Sequence, residues 1–209
     1  MERATVFHWE LLERWSPTLF LVGGSLLVGH TAMLGVQAFS NLTTPPDVFG
    51  PTGHLVALVG LLGLYPTLAD RTPTVMRVAG AVAAVALVSW AVMSLTRFLA
   101  VGGIVSSVSE ALPGIFPIIV FASTILTYLL FGVATVRTDD SSRTVGLLVL
   151  APGVLVLVAL VSSAVAGVTA LGGVLIGGGL ALSVLALGYT LRTWRSHDHA
   201  VPAADATAG

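Results

Sequence analysis

His30 and Gln37 stand seven residues apart on one face of a helical stretch, inside a long apolar run. His54 opens a second apolar run, with Tyr65 deeper on the same face, and Trp90, Ser94 and Arg97 share a face of a third. Ser123, Thr124, Thr127 and Tyr128 form a polar strip near the middle of a fourth. Polar groups at membrane depth are costly unless they meet a partner or a wet cavity. If the four faces converge, they enclose a polar pocket whose fixed charge is Arg97, with Glu110 or Asp47 as its counter-ion. The ligand-binding residues expected on this reading are His30, Gln37, His54, Trp90, Ser94, Arg97 and Thr124.

Each of these residues has a plainer reading beside it. A membrane histidine can be a packing group hydrogen-bonded to a neighbour, Ser and Thr bond back to carbonyls of their own helix, and an arginine near a helix end snorkels to the interface. Other chemistries fall outright. The chain has no Cys, which excludes disulfides, thiolate nucleophiles, iron–sulfur clusters and cysteine zinc sites. All nine basic residues are Arg, so no Schiff base or phosphate-loop lysine can form. A bis-histidine haem needs two imidazoles at one depth, whereas His30 lies about 14 Å inside its run and His54 sits at the edge of its own. Every Asp and Glu stands in a terminus or a connection, which leaves His30 as the proton carrier within a span. His197, Asp198 and His199 lie in a tail without fixed geometry for a metal. No catalytic residue, metal site or cofactor is expected.

Membrane helices must position these side chains. Of 209 residues, 56% are apolar and only 9% charged, against about a quarter charged in soluble domains, and the mean hydropathy is +0.98. Apolar runs at about 17–39, 53–70, 73–97, 115–136, 144–166 and 169–191 are wide enough to cross a bilayer, and their continuity favours helices over a barrel. Ser16-Pro17 and Thr72-Pro73 each place a capping hydroxyl before a first-turn proline. The expected fold is all-α, a polytopic integral membrane bundle of six helices. Residues 1–16 form an N-terminal interfacial segment, 17–192 the transmembrane domain and 193–209 a disordered tail. Residues 104–112 form a short amphipathic helix between the third and fourth spans, as a surface helix or a lid.

Eight of the nine arginines fall on the side of the two termini, which places both termini in the cytoplasm and the polar faces of the first three spans in the outer half. Abundant Ala, Val, Gly and Leu without Lys suggests a prokaryotic genome, hence a cell membrane, and a net charge of −1 is no nucleic-acid footprint. Gly173-x-x-x-Gly177 on the sixth span and the stripe Ala159, Ser163, Gly167 on the fifth predict a close hairpin of the last two spans. The alternative is that Gly177–Gly179 and Pro152-Gly153 break their helices around a substrate. Glycine-rich faces also offer contacts to a membrane-protein partner or a second copy, the other expected partner being the lipid bilayer. The leading function is a small transporter-like or ligand-binding bundle with a polar site in its outer half. The alternative is an accessory or assembly subunit of a larger membrane complex, and a membrane-embedded enzyme is the third reading.

Overall fold

A computed structural model describes the backbone of residues 2–40, 45–106, 111–138, 143–165, 167 and 169–198, and the side chains of these from Trp9 to Trp194. Seven helices and no strand occur among the described residues: α1 Glu2–Phe39, α2 Phe49–Leu62, α3 Tyr65–Arg71, α4 Pro73–Val101, α5 Phe116–Arg137, α6 Arg143–Val165 and α7 Ala170–Asp198. Five of them are long and apolar enough to cross a membrane, and the pair α2 and α3, bent by 46°, makes a sixth if it is one broken span.

The ends differ from the sequence reading in three places. The N-terminal segment 1–16 is not a helix apart: from Glu2 onward it continues unbroken into the first span, with Pro17 inside the helix. Proline removes one intrahelical hydrogen bond, and here the helix tolerates the loss where α7 packs closely against it at Gly188. The second span begins at Phe49 rather than at residue 53. Asp47 explains the earlier start, because its Oδ1 accepts the N–H of Phe49 at 3.0 Å and of Gly50 at 3.2 Å, satisfying donors that a helix start leaves open. Pro51 then falls in the first turn, where its missing N–H is harmless. The last helix runs on to Asp198, so the expected tail begins as helix, and residues 199–209 lie outside the described residues. Residues 107–110 of the expected 104–112 helix also lie outside them, and 104–106 are bends after Gly103, whose φ is +70°.

The helices pack as a ring in chain order: α1 on α2, α2 on α4, α4 on α5, α5 on α6, α6 on α7, and α7 back on α1, with α3 resting on α4. The α1–α7 contact is the most extensive, so the first and last spans close the ring. Phe20 and Leu27 of α1, Leu61 of α2, Phe131 of α5 and Val184 of α7 are buried inside, while Val88, Ile118, Leu147 and Leu182 are exposed on the outside. An apolar outer face is what a lipid solvent requires, and backbone groups satisfied within helices are what it permits.

Small residues set the spacing, only partly where the sequence pattern placed them: the last two helices do pack together, and a Cβ on Gly179 would stand 3.4 Å from Leu155 of α6. A Cβ at Gly177 would meet Thr31 Oγ1 of α1 at 3.0 Å, so this glycine faces α1 rather than the preceding helix. The stripe Ala159, Ser163, Gly167 is not a packing seam, since Ser163 is exposed and a Cβ on Gly167 would meet nothing within 4 Å. On α6 the seam is Gly146 and Gly153, which abut Val136 and Tyr128 of α5. The break points of the alternative reading, Pro152-Gly153 and Gly177–Gly179, both lie within continuous helices. The break occurs instead at Gly63-Leu64, where Pro66 lacks the N–H that would bond the Leu62 carbonyl.

Candidate functional site

A cavity of about 810 Å³ opens at the end of the ring where α1 and α4 finish and α2 and α5 begin. Three of the seven expected site residues line it: His30 and Gln37 from α1 and Arg97 from α4. Their i, i+7 spacing on α1 carries both to the same wall. Met33, Leu34, Met93 and Ala100 supply apolar surface between them, and Pro45, Asp47, Ser106 and Pro113 come from the two connections over the mouth.

The partner of His30 is a residue the spacing argument assigned elsewhere. The sequence reading offers Asp47, beside Glu110, as a counter-ion for Arg97. Instead His30 Nδ1 lies 2.5 Å from Asp47 Oδ2. The reason is local: Gly50, in the first turn of α2, lies against the pair, and its lack of a side chain lets the imidazole in. A Cβ there would stand 2.9 Å from His30 Nδ1 and 2.8 Å from Asp47 Oδ2. Burial alone would push the Asp47 carboxyl up, but the His30 hydrogen bond and charge, with the N–H groups of Gly50 and Phe49, hold it below its usual value of 3.8. Glu110, the other acid considered as counter-ion, lies outside the described residues.

The remaining four expected residues form a buried layer on the ring's interior rather than cavity wall. His54 was placed at the edge of its span; because α2 starts early, it is more than a turn inside and only 7% exposed. Its imidazole stacks on the Trp90 indole, with ring centroids 4.3 Å apart and planes within 12°. Phe121 meets the same indole in a T-shaped contact, with centroids 6.1 Å apart. Trp90 Nε1 donates to Thr124 Oγ1 at 2.8 Å, and Thr124 donates in turn to the Val120 carbonyl at 2.7 Å. Ser123 and Thr127 donate back to their own helix, at Ile119 and Ser123, and so have no donor left over for a ligand. Ser94 is buried one turn beyond Trp90 on α4, and neither its Oγ nor the buried Nδ1 of His54 has a hydrogen-bond partner among the described residues.

Arg97 is half-buried near the end of α4. Its Nε is buried and has no hydrogen-bond partner among the described residues, although the side chain lines the cavity. Such a donor gains from any acceptor that enters. The sequence reading missed Asp47 as the partner of His30 and missed the apolar walls from Met33, Leu34 and Met93; the i+3 and i+4 offsets of Met33 and Leu34 from His30 were the available signal. Among the described residues, no three His, Asp or Glu side chains gather where they could hold a metal ion. Compared with known proteins, the chain matches no family model, no curated protein and no solved structure.

Proposed function

We propose that this chain is a six-span membrane protein of a prokaryotic cytoplasmic membrane that binds a small ligand in its extracytoplasmic half, in the manner of a transporter or a ligand-binding bundle. Both termini are cytoplasmic on this reading, from the arginine distribution. The observation that carries it is the cavity of about 810 Å³, within the usual size range of small-molecule sites, where charged and amide side chains converge between apolar walls. The layer of His54, Trp90 and Thr124 lies deeper along the same helices and supports a site approached from one end.

The chain has no cysteine of its own, which permits a direct test. Single cysteines at Gln37 and Ala100, both cavity residues, should react in intact cells with an impermeant maleimide. A cysteine at Leu58, which is 1% exposed, should not. If neither cavity position reacts until the membrane is permeabilised, the outward-opening site is refuted.

A further inference from the structure

We infer that the cavity takes a small organic monoanion, a carboxylate with an apolar body, whose charged end docks on Arg97. The inference rests on the ligand-binding reading above and adds the sign and size of the ligand's charge.

Among the described residues, Asp47, His30 and Arg97 are the groups lining the cavity that can carry charge, and the first two are committed to each other. Asp47 uses Oδ2 on His30 and Oδ1 on the N–H groups of Phe49 and Gly50. Its acceptors are engaged in holding α2 to α1, so it offers little to a cationic ligand. Arg97 is the reverse case, with Nε buried and unpartnered among the described residues. A buried guanidinium donor is best matched by a planar oxyanion, which a carboxylate provides through two parallel N–H···O bonds. Asp47 sets the upper limit on charge, because a second negative charge in the ligand would face that carboxylate in the same cavity. Met33, Leu34, Met93 and Ala100 leave the rest of the volume apolar. Pro45, Pro46 and Asp47 line it from one connection, and Ser106, Leu112, Pro113 and Gly114 from another, which favours entry from the aqueous side over entry from lipid.

The test uses the full chain in phosphatidylcholine nanodiscs, with benzoate, benzamide and benzylamine titrated calorimetrically. Benzoate should bind at least tenfold more tightly than benzamide, with benzylamine weakest. Arg97→Gln should erase the preference for the acid and Arg97→Lys should keep part of it, each variant being matched to wild type in its thermal transition. A preference unchanged in Arg97→Gln, or benzylamine binding best, overturns the inference. Ala100→Trp, which fills the cavity, separates the two levels. If acid and amide bind equally and both are lost in Ala100→Trp, the pocket stands and the anion assignment falls. If no probe binds, or Ala100→Trp changes nothing, both fall. A preference that emerges only in Glu110→Gln identifies Glu110 as the occupant and overturns the inference. Loss of benzoate binding in phosphatidylglycerol nanodiscs assigns the site to a lipid headgroup and overturns the soluble ligand.

Discussion

Trp90 and Thr124 share one hydrogen bond whose two ends are not equivalent. Trp90→Phe removes the donor but keeps an aromatic ring against His54, and Thr124 still has the Val120 carbonyl to bond. Thr124→Val removes the acceptor and leaves a buried indole N–H with nothing to bond. The first change should cost about 0.6–1 kcal/mol, the second about 1–3 kcal/mol, in thermal unfolding of the purified protein. Equal effects would mean that the indole finds another acceptor. Asp47 gives a second residue-scale expectation. Its folded-state carboxyl titrates below the usual 3.8, so the unfolded chain binds the proton first as the pH falls. The stabilisation is therefore present above pH 3.8 and is lost as the pH falls through the folded value. Thermal transitions measured from pH 6 down to about 3 should fall more steeply for wild type than for Asp47→Asn, which cannot titrate. That Trp90, Ser94 and Arg97 share one face was legible from their helical spacing, but not that the first two lie in a buried layer and the third on the cavity wall. The His30–Asp47 pair was not, since it joins a helix to a connection through a space that only a glycine at position 50 leaves open.

Helix contact here depends on glycines that admit a neighbouring backbone, and the position of each decides its effect. A Cβ on Gly23 would stand 2.9 Å from both the Ala57 nitrogen and the Gly53 oxygen, which are backbone atoms of α2 and cannot rotate away. A Cβ on Gly35, on the same helix, would meet nothing within 4 Å. Gly23→Ala should therefore destabilise by about 1–3 kcal/mol through forced separation of α1 from α2. Gly35→Ala should be neutral or stabilise by about 0.5–1 kcal/mol through helix propensity. Thermal unfolding of the two variants side by side decides it, and similar losses in both would show that close approach is not what Gly23 supplies. At this scale the sequence displayed which residues were small but not which neighbour each one met. Small residues on a helix report that something comes near, whereas ring closure, which brings α7 against α1, decides what it is. The break in the second span was hidden for a related reason: Pro66 and Pro152 look alike in sequence, yet only the former sits at a helix interruption.

At the scale of the whole molecule, the five long apolar helices, or six with the bent pair counted as one, follow from continuous apolar runs, and those were legible in the sequence. What the runs could not supply is which spans touch, because in a lipid solvent every span is apolar on all sides and periodicity weakens as a guide to the interior. Chain order turns out to be contact order, with the ring closed by its ends. A closed ring of six crossings requires α2 and α3 to act as one span, and this can be tested with orientation at the same time. Single cysteines at Thr43, Asp70 and Thr169 place a probe in the connection after α1, at the end of α3 and in the connection before α7, and the last two side chains are exposed. With cytoplasmic termini and six crossings, an impermeant maleimide should label Thr43→Cys and Thr169→Cys in intact cells, and Asp70→Cys only after permeabilisation. The inverted protein gives the opposite result at all three positions. A bent pair that re-enters without crossing leaves Thr43→Cys labelled but exchanges the other two, since every later helix then runs the other way. In that case α4 would traverse the membrane in the reverse sense, Arg97 would lie at the cytoplasmic end, and the cavity could not assemble as one extracytoplasmic site.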